Sequence, residues 1–232
     1  MRYPTLLMDL DHTLLDSETS ELAAFEHTMQ VAGVSDPDRY LDPYLKINRA
    51  MWAAVERHEL TPLQVRNARF ERFVAEMGVD ADPNVLADAF VEGLGASGEL
   101  YPGAREVLDE LVPSVTLALV TNGLAEVQRA RIARLDIEAH FAAIVISGEV
   151  GVAKPGAAIY DLTFDALGGP PKSGVLMVGD SLSSDMAGGR NYGIATCWYN
   201  PASQPSPSNG LVTHEIADLA LLPELAATGS LA

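Results

Sequence analysis

Thr5-Leu6-Leu7-Met8-Asp9-Leu10-Asp11-His12-Thr13 is the stretch from which the rest of the chain is read. Thr5 to Leu10 is an apolar, strand-like run, and it ends in two carboxylates two residues apart. At a strand end both acids reach the same rim. One can attack phosphorus while the other manages protons. A carboxylate cannot approach a phosphate dianion unless charge is neutralised, so this chemistry calls for a metal ion and fixed donors. The five residues from Asp9 to Thr13 are equally consistent with an acidic turn after an edge strand.

Beyond this stretch two textures follow one another. From about Ser17 to Leu94 apolar residues recur at spacings of three and four, as in Leu22, Phe25, Met29 and Ala32, or Phe70, Phe73, Val74 and Met77. The first set predicts one helix. Leu41, Leu45, Met51, Trp52 and Val55 predict a second, and the Phe70 set a third. Leu86, Ala89, Phe90 and Leu94 predict a fourth. Each presents one apolar face. Asp36-Pro37, Thr61-Pro62 and Asp82-Pro83 read as turns or helix starts. After Gly95 to Gly98 short apolar runs alternate with helical stretches: Val115 to Val120, Ala142 to Ile146, Val175 to Val178, Ile194 to Trp198 and Leu211 to Val212. That alternation predicts an α/β fold, a doubly wound parallel sheet covered on both faces. A helical bundle is inserted after the first strand. The expected division is a core of residues 1–16 and 96–232 and a cap of residues 17–95.

Composition limits the function. The chain has 232 residues, is 48% hydrophobic and 20% charged, and carries a net charge of −17. Such a surface repels nucleic acid polymers and anionic membranes. It also repels a phosphorylated metabolite, so a phosphate site needs local positive charge from a cation, lysines or helix N-termini. No apolar run is long enough to span a bilayer. The N-terminal stretch lacks the basic start and long apolar middle of a signal peptide. A single cysteine, Cys197, forms no internal disulfide and reads as a small buried hydrophobe. A cytoplasmic protein is the expectation; the oligomeric state stays open.

In doubly wound sheets ligands bind at the C-terminal strand ends. That rule places Asp9, Asp11, Thr121, Ser147 and Asp180 along one rim. Thr121-Asn122-Gly123 follows the second run and opens a helix, as an oxyanion cradle or merely a cap and turn. Lys154-Pro155 offers a compact point charge that can hold a phosphate beside a carboxylate, or is a surface feature. Gly179-Asp180-Ser181-Leu182-Ser183-Ser184-Asp185 puts one acid at a strand end and another five residues on. This suits a hard cation, or a turn and a helix N-terminus.

Taken in order, these four elements resemble the haloacid dehalogenase superfamily. Its motifs are Asp-x-Asp-x-Thr, a Ser/Thr after the second strand, a lysine, and Gly-Asp-x-x-x-x-Asp. The resemblance runs from Asp9 to about Asn200, and the helical insert resembles that family's small cap. It implies a Rossmann-like core and a magnesium-dependent phosphatase, with Asp9 as nucleophile and Asp11 as general acid and base. It further implies that Thr121, Asn122 and Lys154 hold the phosphate. Asp9, the carbonyl of Asp11, and Asp180 would hold Mg2+, with Asp185 as an outer or water-mediated partner. An acid at position 11 favours phosphate over halide as leaving group, since a halide needs no proton. His12 departs from the commoner glycine, and either touches substrate or shapes the turn.

Gly179 to Gly189, Thr121-Asn122-Gly123 and Gly151-Val152-Ala153-Lys154-Pro155 look similar to the nucleotidase branch, which acts on nucleoside monophosphates, often pyrimidine ones. The partner would be a small phosphorylated metabolite. Phosphoglycolate or sugar-phosphate phosphatases and phosphomutases share every rim residue. A phospho-accepting signalling receiver also uses Asp, Thr and Lys, but distributes its acids over different strands and lacks the insert. Selectivity should lie in the cap. Trp52, Tyr44, Phe25 and His58 could stack on a base or bond a sugar there, or form cap core.

Overall fold

The computed structural model describes residues 1–57 and 59–230; His58 lies outside them. Six parallel strands form one sheet: β1 (Thr5–Met8), β2 (Thr116–Thr121), β3 (Ala143–Ile146), β4 (Val175–Gly179), β5 (Ala195–Tyr199) and β6 (His214–Ile216). Their order is β3-β2-β1-β4-β5-β6. β1 therefore lies centrally, between β2 and β4, where the winding direction reverses. The crevice at such a reversal is where these sheets take ligands.

Side-chain alternation divides the strands between two faces. Leu6, Met8, Leu117, Leu119, Leu176 and Val178 pack on one side. They meet α5 (Ala104–Leu111), α6 (Ala125–Arg134) and the C-terminal helix Leu222–Thr228. Leu7, Ala118, Val120, Val175 and Met177 pack on the other against Ile159, Tyr160 and Phe164 of α7 (Ala157–Ala166). Leu6, Leu7 and Met8 are wholly buried, each such side chain contributing roughly 1.5–3 kcal/mol of transfer free energy. This two-sided burial is why the strands read as continuous apolar runs. The last strand differs from expectation. It spans His214–Ile216 rather than Leu211 to Val212. Leu211 spends its carbonyl on the Thr196 hydroxyl, and the ladder with β5 starts only at His214.

Four helices follow β1 and precede α5: α1 (Ser17–Val31), α2 (Asp38–Glu56), α3 (Pro62–Met77) and α4 (Pro83–Ala96). Two begin as the Pro dipeptides imply. Thr61 caps α3 in a reciprocal box with Gln64, and Asp82 caps α4 with Pro83 in the first turn. Phe25, Tyr44, Phe70, Phe73, Leu86 and Phe90 make a separate core for this bundle. Phe25 and Tyr44 stack 4.7 Å apart. Leu22, expected on the apolar stripe of α1, is instead 39% exposed; Ser20, Ala24 and Thr28 occupy the buried face. The small residues have a purpose. A Cβ at Gly93 of α4 would stand 2.7 Å from the Ala24 backbone, so α1 and α4 approach closely only with glycine there. The two connections to the sheet run side by side, with Asp16 N–H donating to Glu99 O (2.9 Å) and Tyr101 N–H to Leu14 O (2.8 Å). No helix among the described residues is long and apolar enough to cross a membrane.

Candidate active site

Asp9 immediately follows β1, and its N–H continues the ladder to Val178 O (2.9 Å), so the residue is held at the sheet's C-terminal edge. Lys154 Nζ donates to Asp9 Oδ1 and to Asp185 Oδ1, at 2.6 Å each. All three side chains are buried. Lys154 is fixed from behind by Asn122, just past β2. The Asn122 amide donates to Lys154 O and accepts from Lys154 N–H, both at 2.9 Å. Asn122 is thus committed at both ends to positioning the lysine. Asp185 arrives on a π-helical turn, Leu182–Met186, a geometry frequent at functional sites. Its Oδ2 accepts the Ser181 N–H at 3.1 Å. Gly179 makes room, since a Cβ there would lie 2.2 Å from Asp185 Oδ2.

Burial pushes the Asp9 carboxyl well above its ordinary range. Lys154 opposes that rise, while Asp185, Asp180 and Asp11 add to it. Asp180 is raised to about 6, by burial first and then by the negative charge of Asp185. For Lys154 burial alone would favour the neutral amine, but Asp185 and Asp9 outweigh it and the ammonium persists. One cation therefore faces three crowded carboxylates. Asp9, Asp180 and Asp185 each bring an oxygen within 4.8 Å of the others. A hard divalent cation with oxygen ligands fits this surplus of negative charge. Asp185 stands in the same cluster, its two oxygens already accepting from Lys154 and from the Ser181 N–H.

The Asp11 side chain is engaged elsewhere. Its Oδ1 accepts from Ser17 Oγ (2.6 Å) and Arg131 Nη1 (2.7 Å), and its Oδ2 from Gln128 Nε2 (2.5 Å). Burial pushes this carboxyl up. Arg131, with the Ser17 and Gln128 hydrogen bonds, outweighs burial and holds it below the usual range. Gln128 also donates to the Thr121 hydroxyl oxygen (2.7 Å), which is wholly buried. Ser147 likewise serves the scaffold, its hydroxyl accepting the Gly123 N–H at 2.9 Å. Arg131 ties α6 to the helical bundle as well, donating to Ser20 Oγ (2.7 Å) and Leu94 O (3.0 Å). Sequence reasoning missed Arg131 and Gln128. The available signal was their three-residue spacing on the helix that Thr121-Asn122-Gly123 opens.

Asp9, Asp11, Gln128, Arg131, Lys154 and Asp180 line one cavity of about 440 Å³ between sheet edge and bundle, within the range of small-molecule sites, while Thr121, Ser147 and Asp185 lie behind its wall. Lys154, Arg131, Arg69 and Arg49 supply the local positive charge that a chain of net charge −17 needs there. From the bundle come Glu21, Asn48 and Trp52, of which sequence reading singled out only Trp52. Phe25 and Tyr44 lie in the bundle core, 2% and 0% exposed. His12 also borders the cavity. Its φ of 59° lies in the left-handed region that favours glycine. Cys197 is buried in the sheet with its thiol pushed up by burial, far from nucleophilic character.

Comparison with known proteins bears on this arrangement. The family model for haloacid dehalogenase-like hydrolases matches residues 6–199. The pyrimidine 5'-nucleotidase PynA of Streptococcus pneumoniae is 34% identical over 217 residues, covering 93% of this chain and 92% of its own length. The pyrimidine 5'-nucleotidase YjjG of Escherichia coli is 30% identical over 225 residues, covering 97% and 98%. Among solved structures, the putative HAD-hydrolase YfnB of Bacillus subtilis, crystallised with magnesium, superposes with a TM-score of 0.88. It is 30% identical and covers 97% of this chain and 99% of its own.

Proposed function

This chain belongs to the haloacid dehalogenase-like hydrolases, and from that premise we propose that it hydrolyses phosphomonoesters through a phosphorylated Asp9, with nucleoside 5'-monophosphates as substrates. The observation that carries the reading is the buried Asp9–Lys154–Asp185 triad. It opens, with Asp180, into a cavity roofed by the helical bundle. Asp9 Oδ attacks phosphorus, and the bond from phosphorus to the leaving oxygen breaks. Asp11, in its acid form, gives its proton to the departing alkoxide. The resulting Asp11 carboxylate then takes a proton from water. The hydroxide so formed attacks phosphorus, releasing inorganic phosphate and restoring Asp9. Arg131, Gln128 and Ser17, which donate to its oxygens, suit Asp11 to the carboxylate form of the second half. To deliver a proton in the first half it must leave them.

Lys154 binds a phosphoryl oxygen and works against the rise that burial imposes on Asp9, favouring the carboxylate that attacks, while Thr121 and the backbone N–H groups after β2 complete the cradle. Asp9, Asp180, Asp185 and the Asp11 carbonyl would hold Mg2+, which offsets the repulsion between carboxylate and phosphate. The nucleotide assignment rests on the relatives PynA and YjjG, both pyrimidine 5'-nucleotidases by name, and on their near-complete coverage of the chain. The test is phosphate release from nucleotides, sugar phosphates and phosphoglycolate, with Mg2+ or with chelator. Nucleotides should be best, chelator should abolish turnover, and Asp9→Asn should lose nearly all of it. Turnover that survives both treatments contradicts the mechanism. Phosphoglycolate as best substrate removes the nucleotide assignment alone.

A further inference from the structure

The bundle side of the cavity carries polar groups that phosphate chemistry does not use. Arg69 of α3 is only 1% exposed, and its guanidinium lies over the Phe90 ring, 4.4 Å from the centroid. Its Nη1 donates to Asn48 Oδ1 (3.2 Å), and Asn48 Nδ2 donates to Glu21 Oε1 (2.5 Å). This relay sets the Asn48 amide with oxygen toward the guanidinium and nitrogen toward the carboxylate. Arg69 Nε and Nη2, like the neighbouring Tyr44 hydroxyl, are buried and make no hydrogen bond among the described residues. A buried guanidinium with two idle donors is costly, and such groups commonly await a ligand. Glu21, Asn48 and Arg69 all line the cavity that holds Asp9.

Building on the nucleotide reading above, we propose that Glu21, Asn48 and Arg69 select the substrate by its end remote from phosphate. They take a neutral edge on which a carbonyl stands beside an N–H, as on the imide of a uracil-type base. Glu21 Oε2, which makes no hydrogen bond among the described residues, accepts the ring N–H. The idle donors of Arg69 and the second Asn48 N–H serve the carbonyl. Charge decides against an acidic substrate tail. The bundle wall sets Arg69 and Arg49 against Glu21 and Glu56, so its charges are already matched and a ligand carboxylate would add an uncompensated anion. Phe90, Leu94 and Trp52 beside them suit a flat ring. Cytosine presents an acceptor where uracil presents its N–H, and so faces Glu21 acceptor to acceptor.

The deciding experiment compares kcat/KM of the full-length enzyme, with Mg2+, for four substrates: the 5'-monophosphates of uridine, cytidine and N3-methyluridine, and phosphoglycolate. Uridine should exceed cytidine and N3-methyluridine by roughly tenfold to a hundredfold, since each places a mismatched group on a polar site. Glu21→Gln, whose amide can donate to the cytosine ring nitrogen, should shrink the uridine-to-cytidine ratio by about tenfold. Equal rates for uridine and N3-methyluridine phosphates overturn the proposal without any variant. An unchanged ratio in Glu21→Gln overturns it too. If phosphoglycolate is the best substrate, the proposal falls while phosphomonoester hydrolysis stands. If no ester yields phosphate, the underlying reading falls.

Discussion

Lys154→Met removes the one ammonium between Asp9 and Asp185 while keeping similar length and an apolar stem. Both contacts are 2.6 Å, and Lys154 and Asp185 are 1% and 0% exposed, so water cannot replace the lost charge cheaply. Taking one partner from a buried ion pair costs about 3–5 kcal/mol. For a domain whose total stability is roughly 5–15 kcal/mol, that is about a fifth of it or more. With a urea m value of about 2–3 kcal/mol/M, the unfolding midpoint drops by about 1–2.5 M. The pH dependence follows from the carboxylates. Asp9 and Asp180 already have raised folded-state pKa values, so the folded protein holds protons that the unfolded chain has released. Stability therefore falls as pH rises from the unfolded value of 3.8 through the folded ones, about 6 for Asp180. Without Lys154 the Asp9 value rises further, and the variant's deficit is larger at pH 7.5 than at pH 5. Urea unfolding in chelator at the two pH values measures this. A midpoint shift below about 0.5 M, or a larger deficit at pH 5, refutes the claim that Lys154 neutralises this buried cluster.

Arg131→Met takes away the main group holding Asp11 below its usual range, so its carboxyl moves up, and the alkaline limb of the kcat/KM profile, where Asp11 loses the proton it must deliver, moves to higher pH. A pH–rate profile checks the direction; a limb unmoved or shifted to lower pH contradicts it. Gly179→Ala drives a methyl into Asp185 Oδ2, so turnover should fall at least about tenfold and stability by about 1–3 kcal/mol. Steady-state assay and urea titration read the two losses, and wild-type turnover would show that Asp185 need not sit where it does. Mg2+ should raise the melting temperature of the wild type by linkage, and by much less in Asp180→Asn. Calorimetry with and without the ion reads the difference, and equal gains would place the cation elsewhere.

Much of this arrangement was legible in the chain because strands buried on both faces write themselves as apolar runs, and rim residues follow directly. Asp9, Thr121 and Asp180 sit at or just past β1, β2 and β4, within a residue or two of where the runs stop. Lys154 was legible only through a resemblance, because its approach to Asp9 spans 145 residues and no local period encodes it. The partners of Asp11 were hidden for the same reason. Arg131 lies 120 residues away, and on α6 it resembles any helical arginine. The bundle's polar wall was hidden differently. Glu21, Asn48 and Arg69 come from three helices whose periodicity reports only which face is buried, so a buried arginine is indistinguishable from an exposed one in a pattern of apolar residues. Strand ends defined by side-chain hydrogen bonds, as at Leu211, also leave no apolar signature.

The most direct measurement is to mix enzyme in excess with substrate and Mg2+, quench in acid within the first turnover, and map the protein by mass spectrometry. A phosphoryl group should sit on the peptide containing Asp9, decay as inorganic phosphate appears, and be absent from Asp9→Asn. Full release of phosphate with no phosphorylated Asp9 at any quench time, or with the group on another residue, contradicts the account.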